Sequence, residues 1–458
     1  MRLIARYAKD LGEQFEIVTV FDQKVQKDLL TKSNPQMMSL AKSHPAAIWF
    51  ERKIQDDFGI QLQDSFDQRP LLNHGRYAED VHPMCKSFQA TEIPEKEGAQ
   101  SYPYEVIQGE GVFQVAVGPI HAGIIEPGHF HFSQAGEEIL HLEVRHFYKY
   151  RAIEKMLEGK TLWEARPIIE RISGNESIAY QIAWRDCVLA AHEVELPLAL
   201  RQQHALLLEL ERLIHHLNDI GSIPNDTGFA AALAYGSKLM EAARRMMKTL
   251  TGHRFGFGAI QFTPLAFDDK VLVDWLADLE IQLQDFEKWI EGVPSLWDRM
   301  DTTGILSAQK AKKYDVVGVV ARASGQRLDR RQNPFYFNHG FKLVTQDRGD
   351  VAARFKLRLE EMKVSIQMMR AFLDNKAQER DVVLAQPKDG AYMSFSESAI
   401  GELFLAIDIQ DGVIERFYAR DPSFINWQAL HLMMPNDIIA DFPLINKSCD
   451  LSYAGNDL

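Results

Sequence analysis

Histidines and cysteines are the residues whose types and spacing point first to metal chemistry in this chain. His129-Phe130-His131 separates two imidazoles by one residue, so a strand at this place would carry both on one face, as a zinc chelate needs. No third ligand accompanies them, so the spacing alone does not define a zinc site. The three cysteines, Cys85, Cys187 and Cys449, are far apart and form no Cys-x-x-Cys. A thiolate metal cage within this chain is therefore excluded, and a disulfide framework is not expected.

A second candidate is the polar stretch Glu170-Arg171-Ile172-Ser173-Gly174-Asn175-Glu176-Ser177, which interrupts a long apolar region. It lies between two patterns of helical spacing, so by itself it indicates a loop at a helix start. Two other short motifs bring further polar side chains to apolar surroundings. They are Gly118-Pro119-Ile120-His121 and Arg322-Ala323-Ser324-Gly325.

The composition excludes several classes of function. With 458 residues and 46% hydrophobic residues, the chain can bury one large core or two to three domains. A formal net charge of -13 argues against nucleic acid as a partner, because binding to phosphates needs a basic face. No apolar run reaches the roughly 18 residues of a membrane span, and the first seven residues are too soon charged for a signal peptide. Together with the isolated cysteines, this favours a reducing, cytosolic compartment.

The first part of the chain predicts a mixed region followed by β structure. Alternation predicts a strand at residues 15–21, and helical spacing predicts helices at 25–40 and 45–60, the second ending at Gly59. Residues 61–100 are polar and contain three prolines, which indicates an extended linker. Residues 106–117 predict a hairpin that turns at Gly109-Glu110-Gly111.

The middle of the chain predicts a bundle of long helices, beginning at Gly136 and continuing for over a hundred residues. The clearest helix runs from Pro197 to about Gly221, with a broad apolar stripe that indicates core, and with His215-His216 near its end. The other predicted long helices lie at residues 230–250, 269–289 and 349–373. Strands return at residues 391–395, 401–407 and 413–418.

Many motifs along residues 105–458 occur in the order found in one known family. They are residues 118–130, Tyr148 to Lys155, Glu170-Arg171-Ile172, Glu209 to Leu217, Thr251 to Arg254, Arg322 to Gly325, Gly349 to Arg354, Ser423 to Trp427 and the tail. In this combination the chain resembles the large subunit of membrane-bound nickel–iron hydrogenases of the formate-hydrogenlyase type. That subunit is homologous to the quinone-site subunit, the 49 kDa type, of respiratory complex I.

The resemblance implies an α+β fold that is mainly α, with a central bundle of long helices and flanking β-rich parts. It also covers the front of the chain, where Trp49 to Ile60 resembles the 30 kDa subunit of complex I. The implied domains are a truncated 30-kDa-like region with linker at 1–95 and a large-subunit domain at 102–458.

The resemblance also implies where four metal ligands would lie. A nickel–iron centre needs four thiolates, which the family supplies in two Cys-x-x-Cys motifs. The matching positions here are Ser173, Glu176, Ser452 and Gly455, while Cys449 matches no ligand position. We therefore expect no nickel–iron centre and no metal at these positions.

Complex I lost the same cysteines and uses the cavity for quinone, so quinone is a second implied ligand. The quinone-contacting tyrosine of the family matches Tyr148, and His121 would lie near the same cavity. The partner histidine of that tyrosine aligns on Ile125, so half of the quinone pair is absent. Tyr148 fits equally a core tyrosine, and His121 a capping or structural histidine.

Glu176 is open to two interpretations. In a buried cavity its carboxyl group would have a raised pKa or a basic partner, and Arg322, the arginine that lies close to the metal in the family, is a candidate partner. It would then serve in proton transfer or as a conformational trigger. The alternative is a solvated loop glutamate.

The implied function is that of a peripheral-arm subunit on the cytoplasmic side of a membrane. The complex would be an oxidoreductase of the NADH:quinone or hydrogenase type, supporting electron transfer coupled to ion translocation. An iron–sulfur subunit and antiporter-like membrane subunits would be the partners. The alternative is a catalytically silent scaffold in an ion-translocating complex.

Overall fold

The computed structural model describes residues 1–78, 80–89, 91, 102–122, 125–378 and 380–458. Its first part is a small mixed unit. Three antiparallel strands, in the order β1-β2-β3, precede a short parallel pair, β4 and β5, which flanks one helix. The bounds are β1 Leu3–Asp10, β2 Gln14–Phe21, β3 Val25–Thr31, β4 Gln36–Met38, α1 Ala47–Phe58 and β5 Gln61–Gln63.

Two predictions for this part are confirmed and one is wrong. The strand at 15–21 is β2, and α1 ends at Gly59, whose φ of 70° suits a residue without a side chain. The helix expected at 25–40 is instead β3 and β4. Val25 to Thr31 carries mostly exposed side chains and forms a strand because it pairs along its whole length with β2, a contact that helical spacing does not reveal. The linker expected at 61–100 contains β5, and its residues 92–100 lie outside the described ranges.

The second sheet corrects two further expectations. It has the order β6-β7-β8, with β6 Val112–Val117, β7 His129–Ala135 and β8 Glu138–Arg145. The partner of β6 is therefore β7, with Val112 opposite Ala135, and not the segment at 106–107. The chain beyond Gly136 continues as a strand because β8 pairs with β7, so the helical region begins only at Ile153.

The helical core is arranged around α5, which packs against α6 and α12. Gly221 does not end α5 as expected. It lies inside the helix, where a Cβ on Gly236 of α6 would be 2.7 Å from its Cα, so the glycines let the two helices approach closely. The helices are α2 Ile153–Leu157, α3 Leu162–Ile169, α4 Ser177–His192, α5 Leu198–Asn225, α6 Ala230–Thr251, α7 Asp269–Glu291, α8 Pro294–Met300, α9 Ala308–Lys313, α10 Gly318–Ala323, α11 Pro334–Phe337 and α12 Val351–Asp374.

A third antiparallel sheet, in the order β11-β10-β9, confirms the strands expected near the C-terminus. Its bounds are β9 Gly390–Glu397, β10 Glu402–Gln410 and β11 Val413–Arg420. The chain then ends in short helices that return to the bundle. They are α13 Pro422–Asn426, two 3-10 turns at Trp427–Met433 and Ile439–Asp441, α14 Phe442–Cys449 and α15 Tyr453–Asp457.

Side chains of β11 join the N-terminal unit to the rest of the protein. Arg416 donates to the carbonyl oxygen of Ala8 at 3.0 Å, so it satisfies the free edge of β1. Its guanidinium also lies 2.7 Å from Glu154, which is 3.4 Å from Lys53 of α1. These groups are buried and oppositely charged, so the two parts of the chain pack as one core. In the part of the chain that the structure describes, no helix combines the length and hydropathy that a membrane crossing requires.

Candidate functional site

The four positions that the resemblance suggests as metal-ligand positions meet in one place, although up to 282 residues separate them in the sequence. Ser173, in the loop before α4, and Ser452, before α15, place their hydroxyl oxygens 3.1 Å apart. Ser452 also caps α15, because its hydroxyl accepts a hydrogen bond of 2.9 Å from the amide of Gly455. Three of the four positions are thus joined directly.

Asp421 fills the space beside Gly455. A Cβ at Gly455 would lie 2.0 Å from Oδ2 of Asp421, so only glycine fits against this carboxylate. Asp421 is the N-cap of α13, where its other oxygen accepts from the amide of Ser423 at 2.8 Å. The hydroxyl of Tyr180 donates to Oδ2 at 2.8 Å. The carboxylate of Asp421, fixed by these hydrogen bonds, therefore occupies the space that a side chain at position 455 would need.

Glu176, the fourth position, is fully buried at the start of α4. Its Oε1 accepts a hydrogen bond of 2.6 Å from the hydroxyl of Ser398. Burial raises the pKa of Glu176 well above its ordinary value, and the charge of Asp421 and a hydrogen bond to it raise the pKa further. Its surroundings therefore favour the protonated form of Glu176, which can share its proton with Asp421. The solvated-loop interpretation of Glu176 is wrong.

These residues do not fit a nickel–iron centre. Two hydroxyls, a carboxyl group and a glycine stand where four soft sulfur donors would be needed, and Asp421 occupies part of the space. Cys449 is close in sequence, but its thiol lies 3.7 Å from the sulfur of Met433, and burial raises its pKa. The described residues contain no cluster of thiolates.

Arg322 is not the partner of Glu176, which corrects the pairing suggested by the sequence. Its buried guanidinium lies 2.7 Å from Glu361, 2.8 Å from Glu397 and 3.3 Å from Asp329. Three carboxylates on separate elements thus hold it. Arg322 reaches the site only indirectly, since Glu397 precedes Ser398, the hydroxyl donor to Glu176.

Tyr148 lies just beyond β8, partly buried, with its ring edge against His74 at 4.5 Å between ring centres. Burial and the neighbouring Tyr104 raise the pKa of Tyr148 to about 12. Burial and Arg145 lower the pKa of His74 to about 3, so this imidazole is neutral. Among the described residues, no hydrogen-bond partner faces Nε2 of His74. Sequence reasoning missed His74, because it lies in the polar region interpreted as a linker and belongs to no motif.

His121 contacts different residues. Its Nε2 lies 2.7 Å from the carbonyl oxygen of Gly128, and its ring faces Phe130 at 6.0 Å. The buried His146 lies between the two regions: burial and the charges of His74 and His121 together lower its pKa to about 3. His146 also packs against Tyr453, next to Ser452, so the Tyr148 region adjoins the former ligand positions.

The pair His129 and His131 lies on one face of β7, as expected, with ring centres 5.8 Å apart. The ring centre of Tyr104 lies 5.0 Å from that of His129 and 4.5 Å from that of His131. Aromatic packing therefore accounts for the placement of both imidazoles without a metal. Within the described residues, one group of three potential metal ligands has its ligand atoms close together in space. It consists of His215, His216 and Asp219.

His215 and His216 lie in the middle of α5 and not at its end, because the helix continues to Asn225. His216 is bound to Glu361 at 2.9 Å, and Arg358 approaches Asp219 at 2.5 Å. A fixed guanidinium on one of the three ligands opposes the binding of a cation there. His215 instead faces a cavity of about 540 Å³ that also reaches Gly174.

Comparisons with known proteins identify relatives of this chain. Residues 226–389 match the family of the 49 Kd subunit of respiratory-chain NADH dehydrogenase, and residues 2–94 match that of its 30 Kd subunit. The chain is 26% identical to formate hydrogenlyase subunit 5 of Escherichia coli (strain K12), over 93% of this chain and 77% of that protein. It is also 26% identical to hydrogenase-4 component G of the same organism, over 94% of this chain and 78% of that protein.

A relative from an NADH-quinone oxidoreductase matches both parts of the chain at once. This protein, from Phocaeicola vulgatus, is 24% identical over 92% of this chain and 86% of its own length. The resemblance inferred from the motifs is thus confirmed for the large-subunit type and for the front of the chain.

Proposed function

Since this chain is a homologue of the complex I 49 kDa subunit and of large hydrogenase subunits, we propose that it serves as a peripheral-arm subunit of a membrane oxidoreductase of that kind. It supports electron transfer coupled to ion translocation and has no nickel–iron centre of its own. Relatives that are named as parts of dehydrogenases and hydrogenases favour this role over a silent scaffold. We further propose that the chain consists of a 30-kDa-like unit at 1–95 and a large-subunit domain at 102–458.

The observation that carries the proposal is the conversion of the former ligand positions into a built oxygen site. The hydroxyls of Ser173 and Ser452, the carboxyl group of Glu176 and the carboxylate of Asp421 stand in place of sulfur donors. A site that had only lost its metal would not need a carboxylate seated against Gly455. The remodelled site supports a role in proton transfer for Glu176.

We propose a quinone as the small-molecule ligand, held near Tyr148. A hydroxyl of high pKa beside the neutral imidazole of His74 can donate a hydrogen bond to a quinone oxygen. His121, on the far side of His146, would line the same region. Arg322 has a positioning role, because it fixes Glu397 and through it the strand end that carries Ser398.

The proposed partners are an iron–sulfur subunit, which would lie against the cavity, and antiporter-like membrane subunits. The proposed location is the cytoplasmic side of the membrane. We propose no nucleic-acid partner, because a net charge of -13 disfavours binding to phosphates.

Purification of the tagged chain from native membranes in mild detergent, followed by mass spectrometry, tests this proposal. We expect an iron–sulfur protein and membrane subunits to copurify in fixed proportion. Membrane subunits without an iron–sulfur protein would contradict electron transfer and favour the scaffold. A chain that is recovered alone would contradict membership in such a complex.

A further inference from the structure

A row of ionisable side chains follows one face of α5 from the former ligand positions toward a cavity. Glu211, His215 and Asp219 are spaced four residues apart, so they lie above one another on the same face of the helix. All three are buried. Glu211 and His215 line the cavity of about 540 Å³. Burying ionisable groups is energetically unfavourable, so their presence on a buried helix face suggests a function.

Glu211 stands at the end of the row that is nearest the site. Its carboxylate accepts hydrogen bonds from the amides of Ile178 at 2.6 Å and Ala179 at 3.1 Å, in the first turn of α4. Glu176 is the N-cap of the same helix, so two carboxyl groups share one helix start. The charge of Glu211 contributes to the raised pKa of Glu176. Burial raises the pKa of Glu211 to about 8, so it binds and releases protons near neutral pH.

His215 forms the next step of the row. Its Nδ1 lies 3.4 Å from Asp219, and its Nε2 lies 3.3 Å from Asp450, which also lines the cavity. Burial lowers the pKa of His215, but the charges of Asp219 and Asp450 outweigh burial and raise it. Burial and the charge of Asp219 raise the pKa of Asp450 to about 7. Groups that exchange protons near neutral pH therefore continue to the cavity.

Asp219 has a different task from its neighbours. Burial acts to raise its pKa, but Arg358 of α12 and His215 outweigh burial and hold the pKa well below its usual range. Asp219 therefore remains a carboxylate and orients the imidazole. Other charged or titratable groups also face the row or its cavity. They are Arg212 on α5, Lys447 on α14, Asp226, Arg244 and Arg254 around the cavity and, beside Glu176, Tyr180 and Asp421.

We propose that this row conducts protons between the Glu176–Asp421 pair and the cavity, with Glu211 and His215 as relay groups. The acid of Glu176 gives its proton to the carboxylate of Glu211. The resulting acid passes a proton, through water in the polar cavity, to the imidazole of His215. The imidazolium then gives a proton to the carboxylate of Asp450. Only O–H and N–H bonds are broken and formed, and no electron moves.

The inference deepens the proposed function, and it rests on that function only for the use to which the proton is put. The relay itself is a property of this chain. It can therefore be tested on the isolated full chain, apart from any complex.

Infrared spectroscopy of the isolated full chain tests the relay. The carbonyl stretch of a protonated buried carboxylic acid shifts on transfer to D₂O, and the Glu176→Gln variant identifies the band of Glu176 by its loss. We expect Glu211→Gln and His215→Gln to slow this exchange by about tenfold or more, because exchange then requires local opening of the protein. His216→Gln is the matched control, since its neighbouring, equally buried imidazole faces Glu361 and not the cavity. It should leave the rate close to that of the wild type.

Three results would overturn the relay. The first is an exchange rate in Glu211→Gln equal to that of the wild type. The second is a His216→Gln variant that is slowed as much as His215→Gln. The third is the absence of any acid band that Glu176→Gln removes, since there would be no proton to conduct. Failure of the proposed complex would appear only in the copurification and would not alter these rates.

Discussion

The space beside Gly455 allows a direct test of how Asp421 fills the candidate site. We predict that Gly455→Ala strongly destabilises the protein. The new Cβ would lie 2.0 Å from Oδ2 and 2.5 Å from Cγ of Asp421, so the carboxylate has to move by more than an ångström. Asp421 would then leave the hydroxyl of Tyr180 and the amide of Ser423, each now at 2.8 Å.

The size of the effect follows from these contacts. An added methyl group in a filled core costs about 1–3 kcal/mol, and each lost hydrogen bond costs about 1 kcal/mol. We therefore expect Gly455→Ala to lower the free energy of unfolding by about 3–5 kcal/mol. In an Asp421→Ala background the same substitution should cost much less, because the obstructing carboxylate is gone.

Urea denaturation followed by tryptophan fluorescence measures the change. Gly174→Ala is the matched control, because Gly174 lies in the loop of the same site and a Cβ there meets no atom within 4 Å among the described residues. It should change the free energy of unfolding by less than about 0.5 kcal/mol. Equal stability of Gly455→Ala and Gly174→Ala would refute the reasoning, since it would mean that Asp421 does not occupy this space.

Four further predictions concern other parts of the site. Arg322→Met removes the guanidinium that three buried carboxylates share and should lower the free energy of unfolding by about 3–5 kcal/mol, so an unchanged urea midpoint would contradict the network. The pKa of Glu211 is raised to about 8, so the folded protein binds its proton more tightly than the unfolded chain does, and the free energy of unfolding should fall as the pH rises from about 5 to about 8. Glu211→Gln should flatten this fall. A pH profile identical to that of the wild type would argue against the raised pKa of Glu211. Tyr148→Phe should slow quinone reduction in the assembled complex, whereas an unchanged rate would argue against contact with quinone. Elemental analysis of the purified chain should find nickel far below one atom per chain, and stoichiometric nickel would be incompatible with the oxygen site.

The long helices could be predicted from the sequence because their apolar stripes repeat along the chain. α5, α6, α7 and α12 all lie where the spacing indicates them. Strand partners could not be predicted in the same way. β3 forms because it pairs with β2, and β8 forms because it pairs with β7. Neither pairing can be recognised from the local spacing of apolar residues. The end of α5 was misplaced because Gly221 serves helix packing and not termination.

The candidate site was predictable in its positions but not in its contacts. The motif order located Ser173, Glu176, Ser452 and Gly455, which the fold brings together. It suggested Arg322 as a candidate partner of Glu176, whereas in the structure Arg322 binds other carboxylates. These partners lie on separate elements, so no periodicity along the chain could identify them.

Residue types and motif order were enough to show that the thiolates are missing and to which kind of subunit the chain is related. A metal centre cannot form without its donors, so their absence can be read directly from the sequence. The groups that stand at these positions, and their contacts, could be seen only in the folded protein. Glu176 meets the hydroxyl of Ser398 across 222 residues of chain, and Asp421 lies against Gly455. The pKa of a buried acid depends on its neighbours in space, so the chemistry of this site is a property of the fold.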